Sequence, residues 1–362
     1  MQHRHGLVIV REGEASEATR ATVPLDGPID LRVLLGPLAR GSGDPTLRVA
    51  SGVAIRASVT AAGPAAMEIR VAGRGDSGDS EDIVDSGERG DRSPGAELRA
   101  LAWGPGAAIL LDGLPRLLGL DDDDAGFTPG LHPVVRDLAR RRGRVRLGRT
   151  GSVWEALLPA ILEQRITGTE AWRNYRRLVR WNGKPAPGPF GLLLAPSPAE
   201  ILAIPPWRFV ALGIEPRRAT VLRRAAREGA RFEAMGDAAR RPGGGGQGAA
   251  ALASALRSIP GIGPWTAAEV TLRALGDPDA VSVGDAHLSN VVGFALAGKP
   301  RATDEEMLEL LAPWAGHRAR VVRLLEGAGI MPPRYGPRVA PRDLVRDLTR
   351  VEPRRGYRQR RA

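Results

Sequence analysis

A tight reversal containing two glycines, set between two helical segments, is the most constraining feature of this 362-residue sequence. Leu252, Leu256 and Ile259 recur at helical spacing, and Pro-Gly-Ile-Gly at 260–263 then forces the chain to turn before Pro264 starts a second helix. The glycines let backbone amides approach a ligand closely, and the second helix adds its positive dipole end. Both features favour a phosphate ligand. An ordinary turn between two helices is the alternative interpretation.

The composition excludes several classes of protein and favours an anionic partner. The chain contains no cysteine, which excludes disulfides, thiol nucleophiles, thiolate zinc sites and iron-sulfur clusters. Its net charge of +11 favours nucleic acid, although an arginine-rich proteome would produce the same excess. No apolar run is long enough to span a membrane and the N-terminus lacks a secretory signal, so we expect a cytosolic protein with no membrane partner.

The first third of the chain has the pattern of short strands followed by a short helix, which predicts an α+β domain over residues 1–127. Strands are expected in the segments that begin at Leu31 and Thr46, and in MEIRVAG and ELRALAW. Pro105 opens an apolar run that suits a helix covering one face of the sheet. Residues 73–97 are polar, charged and rich in Gly and Ser, and they predict a disordered insertion.

From about residue 131 to residue 330 the apolar period becomes helical, which predicts a helical core. Residues 153–162 present a wide apolar face. Ser197 and Thr303 are each followed three residues later by Glu, so both are expected to start helices as capping boxes.

Two segments within and after this core lack a helical pattern. Residues 241–248 are expected to form a flexible Gly-rich linker. Residues 331–362 contain ten Arg and three acidic residues, and we expect a disordered basic tail. The tail either adds nonspecific phosphate affinity or is simply solvated.

The hairpin, with an aspartate 20 residues after Trp265, resembles the helix-hairpin-helix DNA glycosylase superfamily, and within it the bacterial 3-methyladenine DNA glycosylase II family. The motif is I-P-G-I-G-P-W-T-A followed by Asp285, and VWEALLPAILEQRITGTEAW, ALGIEPRRATVLRRAA and APWAGHRARVV are similar to further segments of that family. The resemblance covers residues 131–330. It implies a mainly α-helical helix-hairpin-helix glycosylase core of two helical subdomains, preceded by an N-terminal α+β domain with a small antiparallel sheet.

The resemblance implies a monofunctional DNA glycosylase that flips a damaged, alkylated purine out of duplex DNA and hydrolyses its N-glycosidic bond, the first step of base excision repair. Asp285 is the implied catalytic carboxylate, an anion that stabilises an oxocarbenium-like sugar. A helix N-cap is the alternative role for this residue. Bifunctional members of the superfamily carry a nucleophilic lysine where this chain has Trp265. The chain's lysines, Lys184 and Lys299, lie outside the motif, so no lyase activity is expected.

The resemblance also implies how DNA is bound. The expected partner is double-stranded DNA containing damaged bases. The protein is expected to be a monomer that lies in the bacterial cytosol and associates with the nucleoid. No cofactor or metal site is required, although a monovalent cation at the hairpin is an option. The residues expected to bind the DNA backbone are Gly261, Ile262, Gly263 and Thr266.

A base pocket formed by Trp265, Gln164 and Glu269 is implied as well. Trp265 would stack on the base, or alternatively pack between helices; Glu269 would line the pocket, or alternatively lie on the helix surface. Aromatic pocket positions of the family correspond here to Glu269 and Arg323, which makes neutral lesions such as hypoxanthine or ethenoadenine an alternative to alkylated purines. A noncatalytic module that binds DNA or senses lesions is the alternative function.

Two further residues receive expectations from their positions. Arg165 aligns with the wedge that fills the gap left by the flipped nucleotide, and its alternative role is a surface arginine at a helix end. His287, two residues after Asp285, is an accessory candidate that orients DNA or water. Its alternative role is a partly buried structural histidine.

Overall fold

The computed structural model describes residues 8–10, 18–25, 27, 29–50, 52–72, 97–241 and 244–333. The predicted tail lies outside the described residues beyond residue 333. The predicted insertion also lies outside them except for Glu97, which begins a strand. Within the described ranges, none of the helices combines the length and apolar character that crossing a membrane requires.

The N-terminal part of the chain is built on a small antiparallel sheet. Its strands are Val8–Val10 (β1), Thr19–Pro24 (β2), Leu47–Ala50 (β3), Val53–Thr60 (β4), Gly63–Ala72 (β5) and Glu97–Trp103 (β6). They are arranged in the order β1-β2-β6-β5-β4-β3. Along β6 the alternating residues Leu98, Ala100 and Ala102 are buried, because one face of the sheet packs on the core. The predicted antiparallel sheet is confirmed.

The segment from Leu31, predicted as a strand, is a helix instead. The carboxylate of Asp30 accepts a hydrogen bond from the amide of Arg32 at 2.8 Å and so caps the helix Leu31–Leu35 (α1). Leu31 and Leu35 are four residues apart and are both buried in the core beneath the sheet. The apolar spacing that suits a strand therefore serves a helical face, because the aspartate cap starts a helix.

Two short helices follow the last strand of the sheet. They are Ala107–Asp112 (α2) and Leu114–Leu117 (α3). Leu110, Leu111 and Leu114 join the same hydrophobic core as the sheet residues. The helix predicted to cover one sheet face is thus present, and it starts two residues after Pro105.

The rest of the described chain is mainly helical and contains two large hydrophobic cores. The helices are Pro133–Arg142 (α4), Val153–Glu163 (α5), Gly168–Asn182 (α6), Pro198–Ala203 (α7), Pro206–Ala211 (α8), Pro216–Arg227 (α9), Gly229–Ala239 (α10), Gly245–Arg257 (α11), Pro264–Leu275 (α12), Leu288–Ala297 (α13), Asp304–Leu311 (α14) and Arg318–Gly327 (α15). Lys184–Pro185 (β7) and Leu193–Leu194 (β8) form a two-stranded sheet. Helices α5 to α12 share the larger core, and α4 with α13 to α15 shares the other. The predicted fold class with two helical subdomains is confirmed.

Both predicted capping boxes are present. The Ser197 hydroxyl accepts from the amide of Glu200 at 3.3 Å, and the Glu200 carboxylate accepts from the amide of Ser197 at 2.8 Å. Thr303 and Glu306 repeat this exchange at 3.2 and 3.0 Å. Both pairs satisfy amides that a helix start leaves without a partner, and they fix the starts of α7 and α14.

Half of the segment predicted as a Gly-rich linker is helical, which corrects that expectation. Helix α11 begins at Gly245, and the amide of Gly248 donates to the carbonyl of Gly244 at 2.6 Å. A methyl group on Gly248 would overlap Ala239 of the preceding helix. Glycine is needed here for close packing of α11 on α10, and this packing compensates for its low helix propensity.

Candidate active site

The hairpin between α11 and α12 is closely packed on α9. Gly261 adopts a φ of +102°, a conformation that favours glycine. A Cβ atom at this position would also overlap the side chain of Val221. Ile262 is buried, and its amide donates to the carbonyl of Ile259 at 2.9 Å. Of the hairpin residues predicted to meet DNA, Ile262 is thus already engaged within the protein, while Gly261 is exposed and Gly263 is half-buried.

We expect Gly261→Ala to lower the free energy of unfolding by more than about 1 kcal/mol, since it combines a strained φ with an overlap on Val221. Gly263→Ala is the matched control, because its φ of −99° suits any residue and no atom lies within 4 Å of its Cβ position. Urea denaturation of both variants measures the difference. Equal destabilisation of the two variants would contradict this role for Gly261.

Gln164 lies at the end of α5 and is hydrogen-bonded to the hairpin and to α12. Its side-chain amide donates to the carbonyl of Gly261 at 3.0 Å and to the hydroxyl of Thr266 at 2.9 Å. Thr266, in the first turn of α12, is almost fully buried, and its predicted DNA contact stays a prediction. Gln164 has an observed role in fixing the hairpin, and its predicted place in the base pocket stays a prediction.

Arg165 follows Gln164 at the turn between α5 and α6. It is exposed, and its φ of 55° is the one positive φ at a non-glycine residue among the described positions. This conformation is uncommon for a residue with a Cβ atom and costs energy that the surrounding structure must offset. Arg165 is thus an exposed residue directly after Gln164, which contacts the hairpin, and its role as a wedge stays a prediction.

Asp285 lies in a turn that leads into α13. Gly284 has a φ of +90°, and the amide of Asp285 donates to the carbonyl of Ser282 at 3.1 Å. The Oδ1 atom of Asp285 accepts from the amides of His287 at 2.8 Å and Leu288 at 3.0 Å. The carboxylate therefore sits at the N-terminus of α13, where the helix dipole favours an anion.

The second carboxylate oxygen of Asp285 contacts the hairpin side of the site. Its Oδ2 atom accepts the indole N–H of Trp265 at 3.0 Å. Trp265 is in the first turn of α12, directly after the hairpin. The carboxylate and the predicted phosphate-binding element are thereby joined through one hydrogen bond.

The side chain of His287 is exposed, so the alternative expectation of a partly buried structural histidine is wrong. Its backbone amide binds the Asp285 carboxylate. The accessory role of its imidazole stays a prediction.

Glu269 lies one turn after Trp265 on α12 and is mostly buried, so the alternative of a surface glutamate is wrong, while its place in the base pocket stays a prediction. Its Oε1 atom accepts the hydroxyl of Ser282 at 2.5 Å, and its Oε2 atom pairs with Arg273. Burial by itself raises the pKa of Glu269, but Arg273 and the Ser282 hydroxyl outweigh it and leave the pKa below its usual value. The spacing of four residues between Glu269 and Arg273 was a usable sequence signal, whereas no local pattern indicates Ser282.

Two of the hairpin carbonyls already accept side-chain hydrogen bonds, and the monovalent cation at the hairpin stays a prediction. The carbonyl of Gly261 accepts from Gln164 at 3.0 Å, and that of Pro260 accepts from the Arg224 guanidinium at 3.3 Å. A cation at these atoms would compete with both donors and meet the positive charge of Arg224. Within the described residues, no group of three or more His, Cys, Asp or Glu side chains could hold a metal ion.

Comparison with known proteins supports this assignment of the fold. A 3-methyladenine DNA-glycosylase from Archaeoglobus fulgidus superposes with a TM-score of 0.64 and 19% identity, over 84% of this chain and 97% of that chain. A Clostridium acetobutylicum 8-oxoguanine glycosylase/lyase, solved with double-stranded DNA containing cytosine opposite 8-oxoG, gives a TM-score of 0.60 and 12% identity, over 89% and 98%. The chain has the fold of the helix-hairpin-helix DNA glycosylases.

Sequence similarity points in the same direction. A curated relative from Mycobacterium tuberculosis is described as a probable bifunctional transcriptional activator/DNA repair enzyme AlkA. It is 29% identical over 189 residues, which are 51% of this chain and 35% of the relative. The chain thus spans about a third of the length of the curated relatives it matches. No family model matches the chain. The resemblance to the helix-hairpin-helix glycosylases is confirmed.

Proposed function

We propose that this protein is a monofunctional DNA glycosylase that removes a damaged purine from duplex DNA and so starts base excision repair. The observation that carries the proposal is the position of Asp285. Its carboxylate lies at the N-terminus of α13 and is hydrogen-bonded to the first turn of the helix that follows the hairpin. An anion is thus held beside the element expected to bind a phosphate.

The proposed reaction needs one carboxylate. As the N-glycosidic bond breaks, the base leaves with the bonding electron pair and positive charge develops at C1′, where Asp285 stabilises it. The oxygen of a water molecule then bonds to C1′, and its proton passes to Asp285 or to solvent. A purine alkylated at N3 or N7 is cationic and departs as a neutral base, so it needs no strong acid. A neutral purine departs as an anion and takes up a proton from water.

The absence of a nucleophilic lysine from the motif supports hydrolysis without lyase activity. Trp265 occupies the position of that lysine in bifunctional relatives. Lys184 pairs with Glu200 at 2.7 Å and Lys299 pairs with Glu306 at 3.0 Å, both outside the site. No Schiff base at C1′ is expected from either lysine.

The proposed partner is duplex DNA containing a damaged base, with no cofactor. The hairpin backbone at Gly261, which is exposed, and at Gly263, which is half-buried, would bind phosphate oxygens next to the start of α12. Arg224, whose guanidinium contacts the hairpin carbonyl of Pro260, adds positive charge there. Reaching C1′ requires extrusion of the nucleotide from the stack, for which Arg165 is the proposed wedge.

The class of damaged base is proposed from two observations that point in different directions. The names of the A. fulgidus and M. tuberculosis proteins favour alkylated purines. Glu269 and Arg323 occupy positions that are aromatic in the family, and Arg323 pairs with Glu326 at 3.2 Å. An arginine facing a cationic base is unfavourable, which favours a neutral lesion such as hypoxanthine or ethenoadenine.

The function is tested by incubating the full chain with duplexes that carry 3-methyladenine, 7-methylguanine, ethenoadenine or hypoxanthine, followed by alkali to reveal abasic sites. We expect release of at least one base, with no strand breaks before alkali and no covalent trapping by borohydride. Breaks without alkali would contradict the monofunctional assignment. DNA binding without release of any base would favour the alternative of a noncatalytic lesion-binding protein.

Arg165→Ala is expected to slow base release about tenfold or more, because the wedge offsets an extrusion cost of a few kcal/mol. Binding of an undamaged duplex should change much less. Arg116→Ala is the matched control, since Arg116 is an exposed arginine in the N-terminal part of the chain. Single-turnover rates and fluorescence anisotropy measure the two effects. Equal losses in the rate of base release and in binding of the undamaged duplex would show that Arg165 only contacts a phosphate.

A further inference from the structure

The turn that carries Asp285 is attached to α12 at two points. Trp265 and Glu269 are four residues apart and therefore lie on the same face of this helix. The indole N–H of Trp265 donates to Oδ2 of Asp285 at 3.0 Å, and Ser282, at the other end of the turn, donates to Glu269 at 2.5 Å. Both ends of the four-residue turn are thus held by one helix face.

Neither attachment point is free to move. Trp265 is partly buried and packs against the larger hydrophobic core. Glu269 is held in turn by Arg273, a further turn along α12, and both side chains are largely buried. A buried, paired carboxylate is costly to displace, so this end of the turn has one stable arrangement.

The two oxygens of Asp285 have different environments. Oδ1 accepts two backbone amides, at 2.8 and 3.0 Å, whereas the hydrogen bond found at Oδ2 comes from Trp265. A carboxylate oxygen accepts about two hydrogen bonds, so Oδ2 keeps capacity for a water or the sugar. The indole N–H thereby fixes the direction from which Oδ2 accepts a further hydrogen bond.

We propose that Trp265 is a positioning residue for Asp285, and that its indole N–H, more than its ring face, is what the reaction requires. Glu269 has the same role at the other end of the turn, acting through Ser282. The rate effect of this inference rests on the proposed function, but the hydrogen bond itself is testable without activity. The sequence resemblance assigned Trp265 to stacking on the base, which is a different role.

The hydrogen bond is tested by ¹H–¹⁵N correlation spectra of the tryptophan indoles in the full chain. Trp265→Phe identifies the Trp265 signal by its loss. Asp285→Ala should move that signal upfield, because the charged acceptor is gone. Trp154 and Trp314 donate to the carbonyls of Pro196 and Thr128, and their signals are the internal controls. An unmoved Trp265 signal would overturn the proposal.

The consequence is tested by single-turnover base release at saturating enzyme, on whichever lesion duplex the wild type processes. Trp265→Phe should lower the rate about 10- to 100-fold, because loss of orientation at the reacting group costs rate. Affinity for the same duplex should change by less than about threefold, since the aromatic ring remains. Trp172→Phe, at a half-exposed tryptophan, is the control and should match the wild type.

Ser282 supplies an independent second variant. Ser282→Ala should lower the rate with affinity unchanged, and Ser282→Thr, which keeps the hydroxyl, should restore most of it. If Trp265→Phe retains the wild-type rate, the indole N–H is not required and the proposal is wrong. If the variant loses affinity instead of rate, Trp265 stacks on the base and the proposal is equally wrong. If the wild type releases no base, the proposed function fails, and the indole spectra still decide on the hydrogen bond.

Discussion

Asp285→Asn is expected to lower the rate of base release at least about 1,000-fold while the protein still folds and binds DNA. The substitution keeps the size of the side chain but removes the negative charge that opposes the developing charge at C1′, and preorganised electrostatic stabilisation of this kind is a large catalytic term. Single-turnover release of the damaged base, measured after alkali, gives the rate. A thermal melt and anisotropy with the same duplex show that fold and binding persist.

The geometry of the site also predicts a moderate loss of stability in this variant. The Asp285 carboxylate accepts two backbone amides with one oxygen and the indole of Trp265 with the other. An asparagine has one acceptor atom, so its amide nitrogen must face one of these donors. Asp237→Asn, in a surface pair with Arg240, is the matched control for charge removal. If the rate of base release in Asp285→Asn lies within tenfold of the wild-type rate, Asp285 is not the catalytic carboxylate.

Features of this fold that depend on residues close together in sequence could be predicted. The capping boxes at Ser197 and Thr303 are satisfied within three residues, and the hairpin at 260–263 depends on its own glycines. The N-cap alternative for Asp285 also anticipated a real contact, since its carboxylate accepts the first amide of α13. The N-cap role and the catalytic role of Asp285 are compatible, because a carboxylate that caps a helix is held in one orientation.

Features that depend on distant partners could not be predicted. The alternative of a surface position for Glu269 was wrong, and one of its two partners, Ser282, lies 13 residues away on a different segment. Gly248 suggested flexibility, but its close neighbour Ala239 belongs to another helix. Local composition describes only the residue's own propensity, and tertiary packing decided both cases.

The strand predicted from Leu31 shows a third kind of error. Alternating and helical apolar spacings overlap in a run as short as LRVLL, so the period alone does not distinguish a strand from a helix. The deciding signal was Asp30, directly before the run. Its carboxylate caps the helix at the amide of Arg32.

Arg320→Met is expected to lower the free energy of unfolding by about 3 to 5 kcal/mol, because it breaks a buried ion pair. Arg320 is fully buried and donates to both carboxylate oxygens of Asp122 at 2.5 and 2.8 Å. It also donates to the carbonyls of Val145 at 2.9 Å and Asp123 at 2.6 Å. Methionine fills a similar volume but leaves the buried Asp122 carboxylate without its main partner.

A double-mutant cycle separates the cost of an unpaired charge from that of lost packing. Asp122→Leu combined with Arg320→Met removes both charges, and the double variant should be more stable than Arg320→Met alone. Arg231→Met, in an exposed pair with Glu228, is the control and should change stability by less than about 1 kcal/mol. Urea denaturation of the wild type, the two single variants, the double variant and the Arg231→Met control measures these differences. If Arg320→Met lowers the free energy of unfolding no more than this control does, the pair with Asp122 does not hold α15 in place. Helix α15 also carries Arg323, so the pair would then not position that residue either.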